Sequence, residues 1–182
     1  MNLERLAIPE VIMLTPRVFE DERGHFFESF NQRVFDKAVG RPVAFVQDNQ
    51  SQSARGVLRG LHYQVAPSPQ GKLVRVIAGR IFDVAVDLRR ESPTFAHWVG
   101  AELSQANQAQ LWIPEGFAHG FLALEPGSIV LYKTTDFWNP AAERCIRWDD
   151  PFIGIRWPDV GPPVLAAKDR AGVRLEDAEV FA

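Results

Sequence analysis

An all-β fold, a double-sheet sandwich or jelly roll with a few short helices, is what this 182-residue sequence predicts. Three observations lead there. Short apolar runs rich in Val, Ile and Phe recur along the chain. Gly, Pro, Asn and Asp punctuate them at close spacing, as strand-turn-strand sequences require. One stretch alone, residues 31–39, carries a clear helical stripe, formed with Phe30 by Val34, Phe35 and Ala38 and stopped by Gly40.

Taken in order, residues 11–18 read as a strand interrupted by Pro16, which suits a sheet edge or an element exchanged between subunits. Residues 20–24 are a turn and 25–30 a returning strand. After the helix, residues 43–49 read as a strand with a polar end, and 55–64 (RGVLRGLHYQ) as the next. Residues 66–71 form a Pro/Gly turn. Residues 72–78 and 80–88 read as a hairpin around Gly79. Further strands are expected over 95–103, 110–113, 117–124, 128–136 and 144–148. The tail from Pro151 reads as loops with a helical turn near 175–178. No repeat or linker divides the chain, so residues 1–182 are expected to form one domain.

Composition narrows the function. The net charge of −3 and the lack of any Lys/Arg block argue against a nucleic-acid binder. No segment is apolar for long enough to span a membrane, and the first residues lack a signal-peptide pattern. The single cysteine, Cys145, excludes an intrachain disulfide and suits a reducing cytoplasm. Thirteen phenylalanines and five tryptophans serve equally a β-core or a pocket that stacks flat rings.

Chemistry concentrates in 55–64. His62, Arg59 and two glycines interrupt an apolar strand, and buried polar groups need partners or a task. A lone strand histidine is as often structural as catalytic. Arg59 and the nearby Lys72 favour a base beside an anionic substrate. Strict alternation puts Arg59 and His62 on opposite faces, so a shared site requires an irregularity at or beside Gly60.

Residues 114–119, PEGFAH, resemble the second motif of the cupins, a jelly-roll superfamily. Metal-binding cupins usually place two histidines and a carboxylate in the first motif. Here His62 stands alone, with Gly60 and Leu61 where a second histidine would sit. The four histidines of the chain are scattered, so a histidine-rich metal site is not expected.

The chain as a whole resembles the dTDP-4-dehydrorhamnose 3,5-epimerase family. The resemblance rests on 21–28 (DERGHFFE), 45–49 (FVQDN), 56–64 (GVLRGLHYQ), 71–76 (GKLVRV), 81–89 (IFDVAVDLR), 114–121 (PEGFAHGF) and 146–151 (IRWDDP). Each is weak alone; their order and combination are specific. What it implies is a cupin-type jelly roll, cofactor-free and homodimeric, that inverts C3 and C5 of a dTDP-4-keto-6-deoxyhexose. By this resemblance His62 is the base, Tyr132 the acid, Lys72 the cation near O4 and Asp169 the partner of His62. Asp83, a charge inside an apolar strand, is a rival partner. Arg23, Arg59 and Lys168 are expected at the diphosphate, and Gln47, Asp48, Asn49, Glu28, Glu143 and His119 at other polar contacts. Trp138 or Phe26 would stack on the thymine. Without the resemblance, Tyr132 reads as a core ring, Lys72 as a solvated strand start and the arginines as surface charges.

Four other functions compete. A single-centre epimerase or a ketoisomerase would use similar groups. A non-catalytic sugar-nucleotide-binding cupin would not need His62, Tyr132, Lys72 and Asp169 together. A metal-dependent cupin is disfavoured by the missing histidines.

Overall fold

The computed structural model describes residues 1–182. The strands are β1 (Asn2–Arg5), β2 (Ile12–Thr15), β3 (Phe19–Asp21) and β4 (Gly24–Phe26), followed by helix α1 (Gln32–Val39). Then come β5 (Gln47–Ser53), β6 (Leu58–Gln64), β7 (Lys72–Ala78), β8 (Arg80–Asp87), β9 (Trp98–Ser104), β10 (Gln110–Ile113), β11 (Phe117–Ala123), β12 (Ser128–Thr134) and β13 (Glu143–Cys145). A short helix, α2 (Ala167–Arg170), and a 3-10 turn, Leu175–Asp177, lie in the tail. No helix is long and apolar enough to cross a membrane.

Two antiparallel sheets form a cupin-like jelly roll. One has the order β1-β2-β10-β7-β12-β5, the other β13-β6-β11-β8-β9. The expected hairpin around Gly79 is not formed. β7 pairs with β10 and β12, whereas β8 pairs with β11 and β9, so the chain changes sheet at Gly79. Sequence adjacency did not translate into pairing because each strand finds a better-placed partner far along the chain.

Between the sheets, Val74, Val76, Ile81, Phe117, Phe121 and Val130 belong to one apolar cluster. Along β7 the residues facing this interior run Lys72, Val74, Val76, so the sandwich is polar at one end and apolar beyond. Outside the six-stranded sheet, α1 lays Phe35 against Trp112 with ring centroids 5.2 Å apart, and Phe30 and Phe45 complete the layer. The Asn31 side chain accepts from Val34 N–H at the helix start, and Gly40 takes the left-handed conformation at its end. The expected helix over 31–39 is thus in place.

Other expectations needed adjustment. The strand expected over 43–49 begins at Gln47 and continues to Ser53 through a wholly polar sequence. β1 had no apolar signature; it forms because β2 offers it an edge. The strand expected over 25–30 stops at Phe26, and α2 was not foreseen.

The tail is fastened by Asp150, 4% exposed. Its Oδ1 accepts from Phe152 and Ile153 N–H at 2.9 and 3.1 Å, and its Oδ2 from Leu175 N–H at 2.9 Å. Asp150→Ala removes the acceptor of three backbone donors, two of them buried. The expected loss is about 3 kcal/mol, each unpaired group costing about 1–3 kcal/mol. For a chain of this size that is a fall in Tm of ~6–12 °C, read by thermal unfolding; an unchanged Tm would show that water replaces the carboxylate.

Candidate active site

The polar end of the sandwich holds a cavity of about 300 Å³. The six-stranded sheet contributes Lys72 from β7, Tyr132 from β12 and Gln47, Asn49 and Ser51 from β5. The opposite sheet contributes Arg59, His62 and Gln64 from β6, His119 and Phe121 from β11 and Glu143 from β13. Lys168 and Asp169 reach in from α2, and Trp138 from the loop after β12.

Gly60 is where β6 becomes a wall of this cavity. His62 pairs with His119 and Arg59 with Phe121, so three steps on β6 match two on β11. That extra residue cancels the alternation, and Arg59 and His62 face the same cavity. The irregularity expected at Gly60 is there. Gly60 has φ 123°, and a Cβ on it would stand 2.6 Å from Gly120 Cα, so no other residue fits. The Gly60–Leu61 peptide is cis.

His62 Nε2 lies 2.6 Å from Asp169 Oδ1, and Asp169 is 2% exposed. With Nε2–H donated to this carboxylate, Nδ1 keeps the lone pair. Burial lowers the His62 pKa; the Asp169 hydrogen bond opposes the fall, and the charges of Lys168 and Lys72 add to it. Burial pushes Asp169 up, yet the hydrogen bond and charge of His62 hold it below the usual carboxylate value.

Asp83 is not the partner of His62. It is fully buried and pairs with His119 instead, Oδ1 to Nε2 at 2.6 Å, while its Oδ2 has no partner. Lys72 is buried too, and its Nζ donates to the His62 carbonyl at 3.2 Å. Burial lowers its pKa to about 8, with Asp83 and Glu143 holding it up against a larger fall. Tyr132 stands on the sheet facing His62. Its phenol pKa is raised by burial, against the pull of Lys168 and Arg59.

Arg59 donates to Ser53 Oγ and the Gln52 carbonyl, both at 3.2 Å, and pairs with no carboxylate. Its charge is available to an anion. Lys168 pairs with Glu143 at 3.0 Å. Gln47 donates to Asn49 Oδ1 at 2.9 Å and accepts from Trp138 N–H at 3.0 Å. Gln64 binds the carbonyl of Phe137 and the N–H of Asn139, fixing the loop that carries Trp138 at the mouth.

Four residues expected at the site lie elsewhere. Asp48 points away from the cavity and binds Lys133 at 3.0 Å, because alternation along β5 sends only Gln47, Asn49 and Ser51 inward. Arg23, Phe26 and Glu28 belong to the β3–β4 hairpin and its exit. Arg23 is ion-paired with Asp21 in its own turn, Phe26 is 73% exposed and Glu28 accepts from Asn31. The hairpin is exposed along its length, so within one chain nothing turns these side chains to the cavity. Sequence reasoning missed Ser51, whose Oγ is buried without a partner. Counting by two from Gln47 and Asn49 would have found it.

A cupin-like jelly roll with a His–Asp pair facing a tyrosine across a polar cavity is the arrangement expected of an isomerase that moves protons. The sequence comparisons carry this to a family. The model of the dTDP-4-dehydrorhamnose 3,5-epimerase family matches residues 5–177. The chain therefore belongs to the dTDP-4-dehydrorhamnose 3,5-epimerase family. The Pseudomonas aeruginosa dTDP-4-dehydrorhamnose 3,5-epimerase is 61% identical over 181 residues, covering 100% of this chain and 99% of that one. The Legionella pneumophila dTDP-6-deoxy-D-glucose-3,5-epimerase, solved with dTDP-4-keto-L-rhamnose, superposes with TM-score 0.95 at 46% identity, over 98% of this chain and 94% of that one. A 3'-monoepimerase from Streptomyces bikiniensis, solved with dTDP-quinovose, superposes with TM-score 0.89 at 31% identity, over 95% of this chain and 87% of that one.

Proposed function

We infer that the chain converts dTDP-4-dehydro-6-deoxy-D-glucose to dTDP-4-dehydro-L-rhamnose by inverting C3 and C5. The observation that carries this reading is the placement of His62 and Tyr132 on facing sheets with Lys72 beside them. The C4 ketone acidifies the hydrogens on both neighbouring carbons. His62 Nδ1 takes one proton, the electron pair moves onto O4 as an enolate, and Lys72 steadies that oxygen. Tyr132 then delivers a proton to the same carbon from the opposite face. The imidazolium formed is stabilised by Asp169, as in other His–Asp pairs. No electrons leave the sugar, so no redox partner is needed; the His62 imidazolium and the Tyr132 phenolate return to their starting forms by proton exchange with solvent after each inversion.

Arg59 is assigned to the diphosphate, whose oxygens suit its planar fork. Gln47, Asn49, Ser51 and His119 are assigned to sugar and phosphate contacts, and Trp138 to thymine stacking. Arg23, Phe26 and Glu28 fit the same reading if the chain is a homodimer whose exposed β3–β4 hairpin reaches the partner's cavity. A monomeric mass at working concentration would remove that part. A cytoplasmic setting completes the proposal, consistent with a nucleotide-sugar substrate and a cysteine without a disulfide partner.

The deciding experiment incubates the protein with dTDP-4-keto-6-deoxyglucose in D₂O and follows the sugar by NMR. Deuterium at both C3 and C5, with the L-lyxo product trapped by a ketoreductase, is expected. Label at one centre would select the single-centre epimerase, and no exchange with intact binding would select the binding cupin.

The pH dependence follows from the two shifted groups. His62 acts when neutral and its pKa is lowered, so activity persists below the ordinary imidazole range. Lys72 acts when charged, so activity declines as pH rises through about 8. Tyr132, raised, keeps its proton throughout. A kcat/KM profile that stays flat up to the ordinary lysine range would remove Lys72 from the enolate.

A further inference from the structure

Cys145 is a thiol beside the cavity with no part in the reaction. β13 pairs with β6 so that Cys145 lies directly opposite His62, on the neighbouring strand and at the same level. Its Sγ makes only a long contact of 3.7 Å to the Ile146 carbonyl. The ligand atoms of His62, Cys145 and Asp169 all lie within 4.8 Å of one another. An imidazole, a thiol and a carboxylate gathered at one point form the donor set of an open zinc site.

We propose that His62, Cys145 and Asp169 form a binding site for a soft divalent cation, zinc or cadmium, whose occupation blocks the enzyme. Neighbouring ligands around a tetrahedral zinc stand roughly 3.3–3.8 Å apart. The His62–Asp169 contact of 2.6 Å therefore opens by under about 1 Å, and the thiol closes in. Both movements are within side-chain reach, because α2 and β13 are short elements at the rim of the sheet. Thiolate and imidazole favour zinc and cadmium over magnesium, which wants an oxygen cage. The fourth position opens toward the cavity, which His62 and Asp169 both line.

Binding costs a proton. Zinc and cadmium take cysteine as the thiolate, so the metal displaces the thiol hydrogen as it binds. Inhibition follows from imidazole chemistry. A metal on either ring nitrogen of neutral His62 leaves the other carrying the only proton, and no lone pair remains for the sugar C–H. This consequence rests on His62 being the base; the metal site itself does not.

The test uses the whole protein, stripped of metal with EDTA. Cadmium is titrated in and the ultraviolet thiolate-to-cadmium charge-transfer band is recorded. Zinc is then added, unbound metal removed and the bound metal counted. Epimerisation is measured in parallel. One metal per chain, a charge-transfer band, and inhibition reversed by EDTA are expected, with magnesium inert. Cys145→Ser should keep its metal-free activity and need at least ~10-fold more zinc for the same inhibition. Absence of the band in the native protein would overturn the site, whatever the variant does. Equal zinc sensitivity in native protein and a folded Cys145→Ser would overturn it as well. Stoichiometric cadmium on Cys145 with full activity would uphold the site and overturn His62 as base.

Discussion

His62→Asn is expected to lower epimerisation by at least ~10²–10⁴-fold, the usual contribution of a positioned base, while dTDP affinity holds. Asparagine is the informative replacement because its amide N–H can still serve Asp169. Alanine would leave a carboxylate that is 2% exposed without its main partner, adding a folding penalty to the chemical one. Deuterium wash-in at C3 and C5 reads the base directly, and calorimetry with dTDP reads the binding. Full exchange at both carbons would exclude His62 as the base. Exchange surviving at one carbon alone would assign that carbon to His119. That residue meets Asp83 at the same 2.6 Å that separates His62 from Asp169.

Lys72→Met is expected to reduce kcat by about 10²–10³-fold, as for loss of one preorganised oxyanion donor, with KM little changed. Methionine keeps the length and apolar stem of the side chain and deletes only the charge. The decline near pH 8 should vanish with it, which a purely structural lysine would not produce. Lys72→Arg should not restore the rate: a planar guanidinium does not fit where a compact, fully buried ammonium stands. Wild-type kcat in Lys72→Met would leave the enolate to the donors of Tyr132 and His119.

How much of this was legible in the sequence depended on the range of the interaction involved. Short-period signals carried well: the all-β class, the helix before Gly40 and most strands on both sheets follow from local apolar patterns. The irregularity at Gly60 was legible for a different reason. Two functional side chains of opposite parity had to share one cavity, and only a glycine between them allows the extra residue. β5 was misread at its start because its inward face lines the polar cavity instead of the core, so no apolar alternation marks it. The sheet change at Gly79 was illegible, since pairing is decided by strands far along the chain. The choice between Asp83 and Asp169 also had to wait for three dimensions: they stand 36 residues from His119 and 107 from His62. α2, four residues without a side-chain cap, has no local signature, and its aspartate was reached by family resemblance alone.

That separation of 107 residues has a consequence for the making of the protein. During synthesis the strands bearing His62, Lys72 and Tyr132 leave the ribosome well before α2. A nascent chain exposes every strand of both sheets before it adds the carboxylate assigned to orient the base. Docking of the last segment, held down through Asp150 and Leu175, completes the core behind the second sheet and the site together. Catalytic competence thus acts as a receipt for complete translation. Polypeptides cut short before Asp169 would lack that carboxylate and also Leu175, Val180 and Phe181, which pack behind the second sheet, so they are expected to lose both turnover and stability.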